Sequence, residues 1–315
     1  MDYIEQQIVF KTLTPYGRDV PLSISSAFFR RLENTVRPSV RMALEGTSVS
    51  AGAPPVWLEK ASDVRTLGFS EENGSSVLRL KAPQLGKAAP KLFEQQSFLP
   101  TTVSPEDTAL QVIGRIADAV RRQESSSDLY DRPLLKRFSS WSSFFDERVE
   151  SIAFPLSNRR GERFSLIDQE VVKSAQVLSD QTPSPRQVRL VGTLDMVRHS
   201  TRSFGLLLDT GEELRGLLVE GTSDILHQYF GKDITVLGKA VYRPSGNLLR
   251  VDASEILSTV EGRRAFSKVP PALSSPRRPE RRVQTPRTGV ASFFGTWPGE
   301  ENDRDLLRAL EEVRG

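Results

Sequence analysis

At 315 residues the chain is too long for one small barrel and suits roughly two domains of ordinary size. It contains no cysteine, which excludes disulfides, thiolate metal sites and a cysteine nucleophile, and its only histidines, His199 and His227, are not spaced as a metal-binding pair. The hydrophobic share of 37%, with 20 prolines, lies below the usual ~45–50%, so part of the chain is expected to stay unpacked, and a net charge of only +3 makes the placement of charge matter more than its sum.

The opening MDYIEQQIVF lacks the basic start and long apolar core of a secretory signal, and no run of about eighteen apolar residues occurs. A soluble cytoplasmic protein without membrane contact is expected. Residues 3–12 read as a strand carrying Ile4, Ile8, Val9 and Phe10, followed by a turn at Pro15 to Gly17. From Ser25, the spacing of Phe28, Phe29, Leu32 and Val36 lines one face of a helix. Pro38 is expected to kink or end it, with Val40 and Leu44 continuing a second apolar face as far as Glu45.

Pro55 suits the start of a short helix through Trp57, Leu58 and Ala61. Residues 64–69 and 76–81 flank Asn73-Gly74, which tolerate the positive backbone angles of a hairpin turn. Residues 1–82 therefore read as an α+β domain. Residues 83–103 carry Leu92, Phe93, Phe98 and Leu99 between prolines and are expected to form an arm packed across that domain, rather than an exposed loop.

A helix is then expected with Ser104 as its cap and Pro105 at its first position, burying Ile113, Ile116, Ala117 and Val120. Pro133 opens another, whose Leu134, Leu135, Phe138, Trp141, Phe144 and Phe145 stripe one face as core rather than as a cofactor box. A second hairpin, over 151–156 and 162–167, and a helix from Gln169 to Leu178 complete a helical region over 83–181, continuous with 1–82 or separate from it. The boundary is placed at Thr182 to Pro185.

Residues 188–256 read strand, strand, strand, helix, strand, strand, with glycines 192, 205, 216 and 238 inside strands. That order resembles an OB-fold, a small Greek-key barrel plugged by one helix. The fold class is therefore α+β, with an N-terminal α+β region, a five-stranded OB-like barrel, a basic linker and a short C-terminal helix. The resemblance implies a ligand face on strands two and three, gripped by the loops after strands one and four. Arg198, Arg202, Arg215, Tyr242 and Arg243 fall there and are the candidate nucleic-acid contacts. Against this, residues 188–254 hold eight basic and eight acidic side chains, and stacking aromatics are scarce.

The excess positive charge sits in residues 263–287, with eight basic side chains and one acidic; 261–290 reads as a disordered linker. Beyond it, Phe293, Phe294 and Trp297 precede a helix whose Leu306, Leu307, Leu310 and Val313 form an apolar stripe, so 291–315 reads as a partner-docking tail. Phe294 to Arg314, with Trp-Pro-Gly and acidic residues leading into that helix, resembles the tails of some bacterial antitoxin-like proteins. The resemblance implies a protein partner, in an antitoxin-like or defence setting.

No phosphate-binding glycine loop, nucleophile elbow or metal motif is present, so no catalytic residue, metal or cofactor is assigned. The expectation is a non-enzymatic adaptor or regulatory protein. A single-stranded nucleic-acid-binding protein using barrel and linker, and an enzyme with its site in the N-terminal region, are the alternatives.

Overall fold

The computed structural model of the protein describes residues 3–49, 52–94, 103–146, 148–156, 163–221, 223–258 and Pro270. Its N-terminal layer is an antiparallel sheet of β1 (Tyr3–Thr12), β2 (Arg65–Glu72), β3 (Ser75–Pro83), β4 (Val149–Leu156) and β5 (Arg163–Asp168), ordered β2-β3-β1-β4-β5. The turn between β2 and β3 is the expected one, with φ of 52° at Asn73 and 76° at Gly74.

Among the described residues, seven α-helices accompany this sheet: α1 (Leu22–Glu45), α2 (Val56–Ala61), α3 (Leu85–Ala88), α4 (Pro90–Glu94), α5 (Ala109–Arg121), α6 (Arg132–Ser139) and α7 (Gln169–Gln181). α5 lies close against β4, because Gly114 has no side chain to strike the Pro155 carbonyl. The aromatic stripe of α6 and the 3-10 turn after it, Ser140–Phe144, closes the core. Phe28 of α1 meets Phe10 at 4.9 Å, Trp141 at 6.2 Å and Phe154 at 6.4 Å between ring centroids. One hydrophobic core thus draws on residues both before and after position 83.

Two expectations are corrected. α1 runs unbroken through Pro38, which withholds its donor from the carbonyl of Asn34. Arg137 of α6 donates to that oxygen at 3.3 Å, so tertiary packing supplies what the helix lacks. α5 begins at Ala109 rather than at Pro105, capped by Thr108 in a reciprocal capping box with Gln111. The Pro105 and Asp107 carbonyls accept from the amides of Gly86 and Leu85, at 2.8 Å each, and are withdrawn from any helix. This contact also fixes the arm: Leu85, Ala88, Ala89 and Leu92 are buried in the core, while residues 95–102 lie outside the described residues.

The barrel consists of β6 (Arg186–Arg198), β7 (Ser203–Leu207), β8 (Glu213–Leu218), β9 (Asp233–Tyr242) and β10 (Leu248–Ser258), with α8 (Asp224–Gln228) between β8 and β9. It is closed in the order β10-β8-β7-β6-β9 by a parallel β8–β10 pairing, an arrangement compatible with the OB-like reading. Closure leaves no room for a side chain at Gly192, where a Cβ would lie 2.5 Å from the Leu207 carbonyl, or at two further glycines. A side chain at Gly216 would enter the Phe204 ring, and one at Gly238 would strike the Asp252 carbonyl.

Phe204, Leu206 and Leu208 fill the barrel, with Leu226 of α8 plugging it. Val241 and Leu249, near the turn from β9 to β10, belong instead to the N-terminal core. All described residues fall in one compact unit.

Candidate functional site on the barrel face

The site is built on the end of α1. Gly46, at φ 77°, terminates the helix in the left-handed conformation, and the last turn of any helix leaves carbonyls without internal donors. Two barrel arginines supply those donors. Arg215 of β8 reaches the Glu45 carbonyl at 3.0 Å, and Arg250 of β10 reaches the Gly46 carbonyl at 3.0 Å. Cations at this pole also meet the negative end of the helix dipole. A Cβ at position 46 would lie 2.6 Å from the Arg215 guanidinium carbon, so a side chain here would displace Arg215, and the positive φ itself favours glycine.

Behind these contacts sits Asp131, whose carboxylate is fully buried. It caps α6 by accepting from the Leu134 amide at 3.2 Å, accepts from the Ser48 amide at 3.0 Å and hydroxyl at 2.5 Å, and receives Arg250 Nη1 at 3.4 Å. Arg250 is held in place by Asp252, 2.7 Å from its Nε. Both oxygens of this buried carboxylate thereby have donors.

Four of the five candidate nucleic-acid residues are committed to the protein itself. Arg198 is buried and donates to the Leu92 carbonyl; burial lowers its pKa, as it does that of Arg215. Arg243 donates to Asp128 at 2.5 and 2.8 Å and to the Leu248 carbonyl, and the amide of Ser245 beside it reaches the Ser125 carbonyl at 3.0 Å. Tyr242 is 2% exposed, within the barrel core, its hydroxyl 3.4 Å from the Pro270 carbonyl. Arg202 is exposed, at φ 53°, in the turn between β6 and β7. The end of β6, strand β8 and the loop after β9 therefore all carry contacts to the N-terminal region.

Sequence reading overlooked Arg250, Asp131 and Glu45. A usable signal existed for the first two: Arg250 interrupts the apolar run Leu248, Leu249, Val251, and Asp131 stands two residues before Pro133, in helix-cap position. Glu45 gave none, since its burial arises only when the barrel arrives.

Between the two parts lies a cleft of 550 Å³. Leu217, Val219, Val241 and Pro183 contribute apolar walls, and Glu45, Arg132, Lys136 and Arg202 contribute charge. Burial raises the Glu45 carboxyl above its ordinary range, opposed by Arg41, whose Nε lies 3.0 Å from it, and by Arg202.

The two histidines, distant in sequence, face each other across a ring separation of 5.6 Å on the barrel surface. Among the described residues no group of three metal-ligating side chains is gathered, and no helix is long and apolar enough to cross a membrane. The candidate docking residues Phe293, Phe294, Trp297, Leu306, Leu307, Leu310 and Val313 lie outside the described residues, as does the linker apart from Pro270. Comparison with family models, with curated proteins and with solved structures returns no match to the chain, and the likeness of the tail to antitoxin-like tails rests on its sequence alone.

Proposed function

We propose that this protein is a non-enzymatic adaptor or regulatory protein whose OB-like barrel is engaged in cis by its own N-terminal region, and whose C-terminal segment docks on a partner protein. One observation carries the reading. Arg198, Arg215 and Arg243, which an OB-type ligand face would offer to phosphates, donate to Leu92, Glu45 and Asp128 of the same chain. A barrel used this way holds its cationic groups against helix-end carbonyls and a carboxylate, and single-strand binding, which needs a positive groove with stacking platforms, loses both. The tail supports the other half, because a short amphipathic helix beside three aromatics needs a surface to fold upon.

The test is a pull-down from a native extract with the full chain and with residues 291–315 deleted. Loss of specific partners from the shortened chain is expected; an unchanged partner set overturns the docking role. In parallel, titration with single-stranded DNA and RNA at low salt is expected to show no saturable binding. Tight binding that falls steeply with salt and weakens in Arg202→Ala would favour the nucleic-acid reading instead.

A further inference from the structure

We propose that the cleft between the N-terminal region and the barrel is a binding site for a small amphipathic organic anion, one with an apolar body and a phosphate, sulfonate or carboxylate group. At 550 Å³ it lies within the range of small-molecule sites, and it occupies the interface position where such sites concentrate.

The charges that line it do not cancel. Arg250 lies between Asp252 at 2.7 Å and Asp131 at 3.4 Å, and Glu45 is faced by Arg41 at 3.0 Å and also feels the charge of Arg202. Arg132, Lys136 and Arg202 then remain, and among the described residues none of the three has a carboxylate within ion-pair distance. Arg132 donates to the Ser184 hydroxyl at 3.2 Å, while its Nε is buried with no hydrogen-bond partner, a donor whose desolvation a ligand oxygen would offset. Arg202 is held in its left-handed conformation by the turn: its amide donates to the His199 carbonyl at 3.3 Å and its carbonyl accepts from the Leu218 amide at 2.9 Å. Its position at the cleft is thus fixed by backbone.

Leu217, Val219, Val241 and Pro183 add aliphatic lining. Val219 remains 41% exposed, an apolar surface that a ligand body would cover. A lining of cations and aliphatic side chains selects an anion that also carries an apolar group, and disfavours a bare inorganic ion. Because the two walls come from the two parts of the fold, the bound anion would tie them together and raise the unfolding temperature by mass action.

The experiment uses the full chain and three probes: ATP, 8-anilinonaphthalene-1-sulfonate and inorganic phosphate, each followed by calorimetric titration and by thermal unfolding. Saturable binding of at least one of the two organic anions, with a raised Tm, is expected. That binding should weaken at least about tenfold in the double variant Lys136→Ala/Arg202→Ala, which removes two of the lining cations, and in Val219→Trp, which fills the cleft without altering charge. Lys11→Ala, on a remote exposed surface, should bind as the unaltered chain does. Binding of ATP would identify the body as a nucleoside, and binding of the sulfonate alone an aryl or acyl group. Failure of both organic probes overturns the proposal, as does binding that neither cleft variant weakens, or phosphate binding as tightly as the organic anions. These outcomes are independent of whether residues 291–315 engage a partner.

Discussion

Arg250, on the last barrel strand, donates to the fully buried carboxylate of Asp131 across 3.4 Å, although the two lie 119 positions apart in the chain. The same guanidinium closes the end of α1 through Gly46. One side chain therefore ties together a helix start, a helix end and the barrel.

Removing it should be severe. Arg250→Ala leaves Asp131 with a buried charge short of a partner and the Gly46 carbonyl without its donor, and breaking a buried pair in this way costs about 3–5 kcal/mol. Lys11→Ala, which breaks an ion pair with Glu150 that is exposed on both sides, should cost only ~0–1 kcal/mol. Urea unfolding of the two variants measures the difference, and equal midpoints would refute the assignment of Arg250 as the central tie.

The second expectation concerns Pro38. Arg137→Ala should destabilise by about 0.5–1.5 kcal/mol, because the Asn34 carbonyl loses the only donor described for it. In a Pro38→Ala background the amide at position 38 can bond that carbonyl, so the cost of Arg137→Ala should shrink. A double-mutant cycle reads this coupling directly; no coupling would mean the carbonyl is served by water.

Glu45 sets a dependence on pH. Its folded-state pKa is raised above the ordinary 4.5, chiefly by burial, so the folded state favours the protonated carboxyl. The stability it contributes relative to a neutral isostere is fully present below 4.5 and is lost as pH rises through the raised value. Stability of the unaltered chain minus that of Glu45→Gln should therefore fall as pH climbs from below 4.5 towards neutrality. Parallel stability curves for the two proteins would show that Glu45 is not strained by its surroundings.

Much of the fold was legible along the chain. The order of strands and helix over residues 188–256 marked the barrel, Asn73-Gly74 marked the β2–β3 turn, and the spacing of Phe138, Trp141 and Phe144 marked a core stripe, because each of these signals is local. The unbroken α1 and the late start of α5 were not legible, since Arg137 and the amides of Leu85 and Gly86 arrive from elsewhere in the chain.

The candidate site divides in the same way. Sequence by itself determined a small barrel with arginines at the strand ends and loops where such barrels take ligands, because strand period, glycine placement and turn chemistry act over a few residues. Only the tertiary structure decided what those arginines meet. Arg215, Arg198 and Arg243 find Glu45, Leu92 and Asp128 more than a hundred positions away, and a guanidinium's choice between solvent, phosphate and a helix-end carbonyl depends on which surface desolvates it.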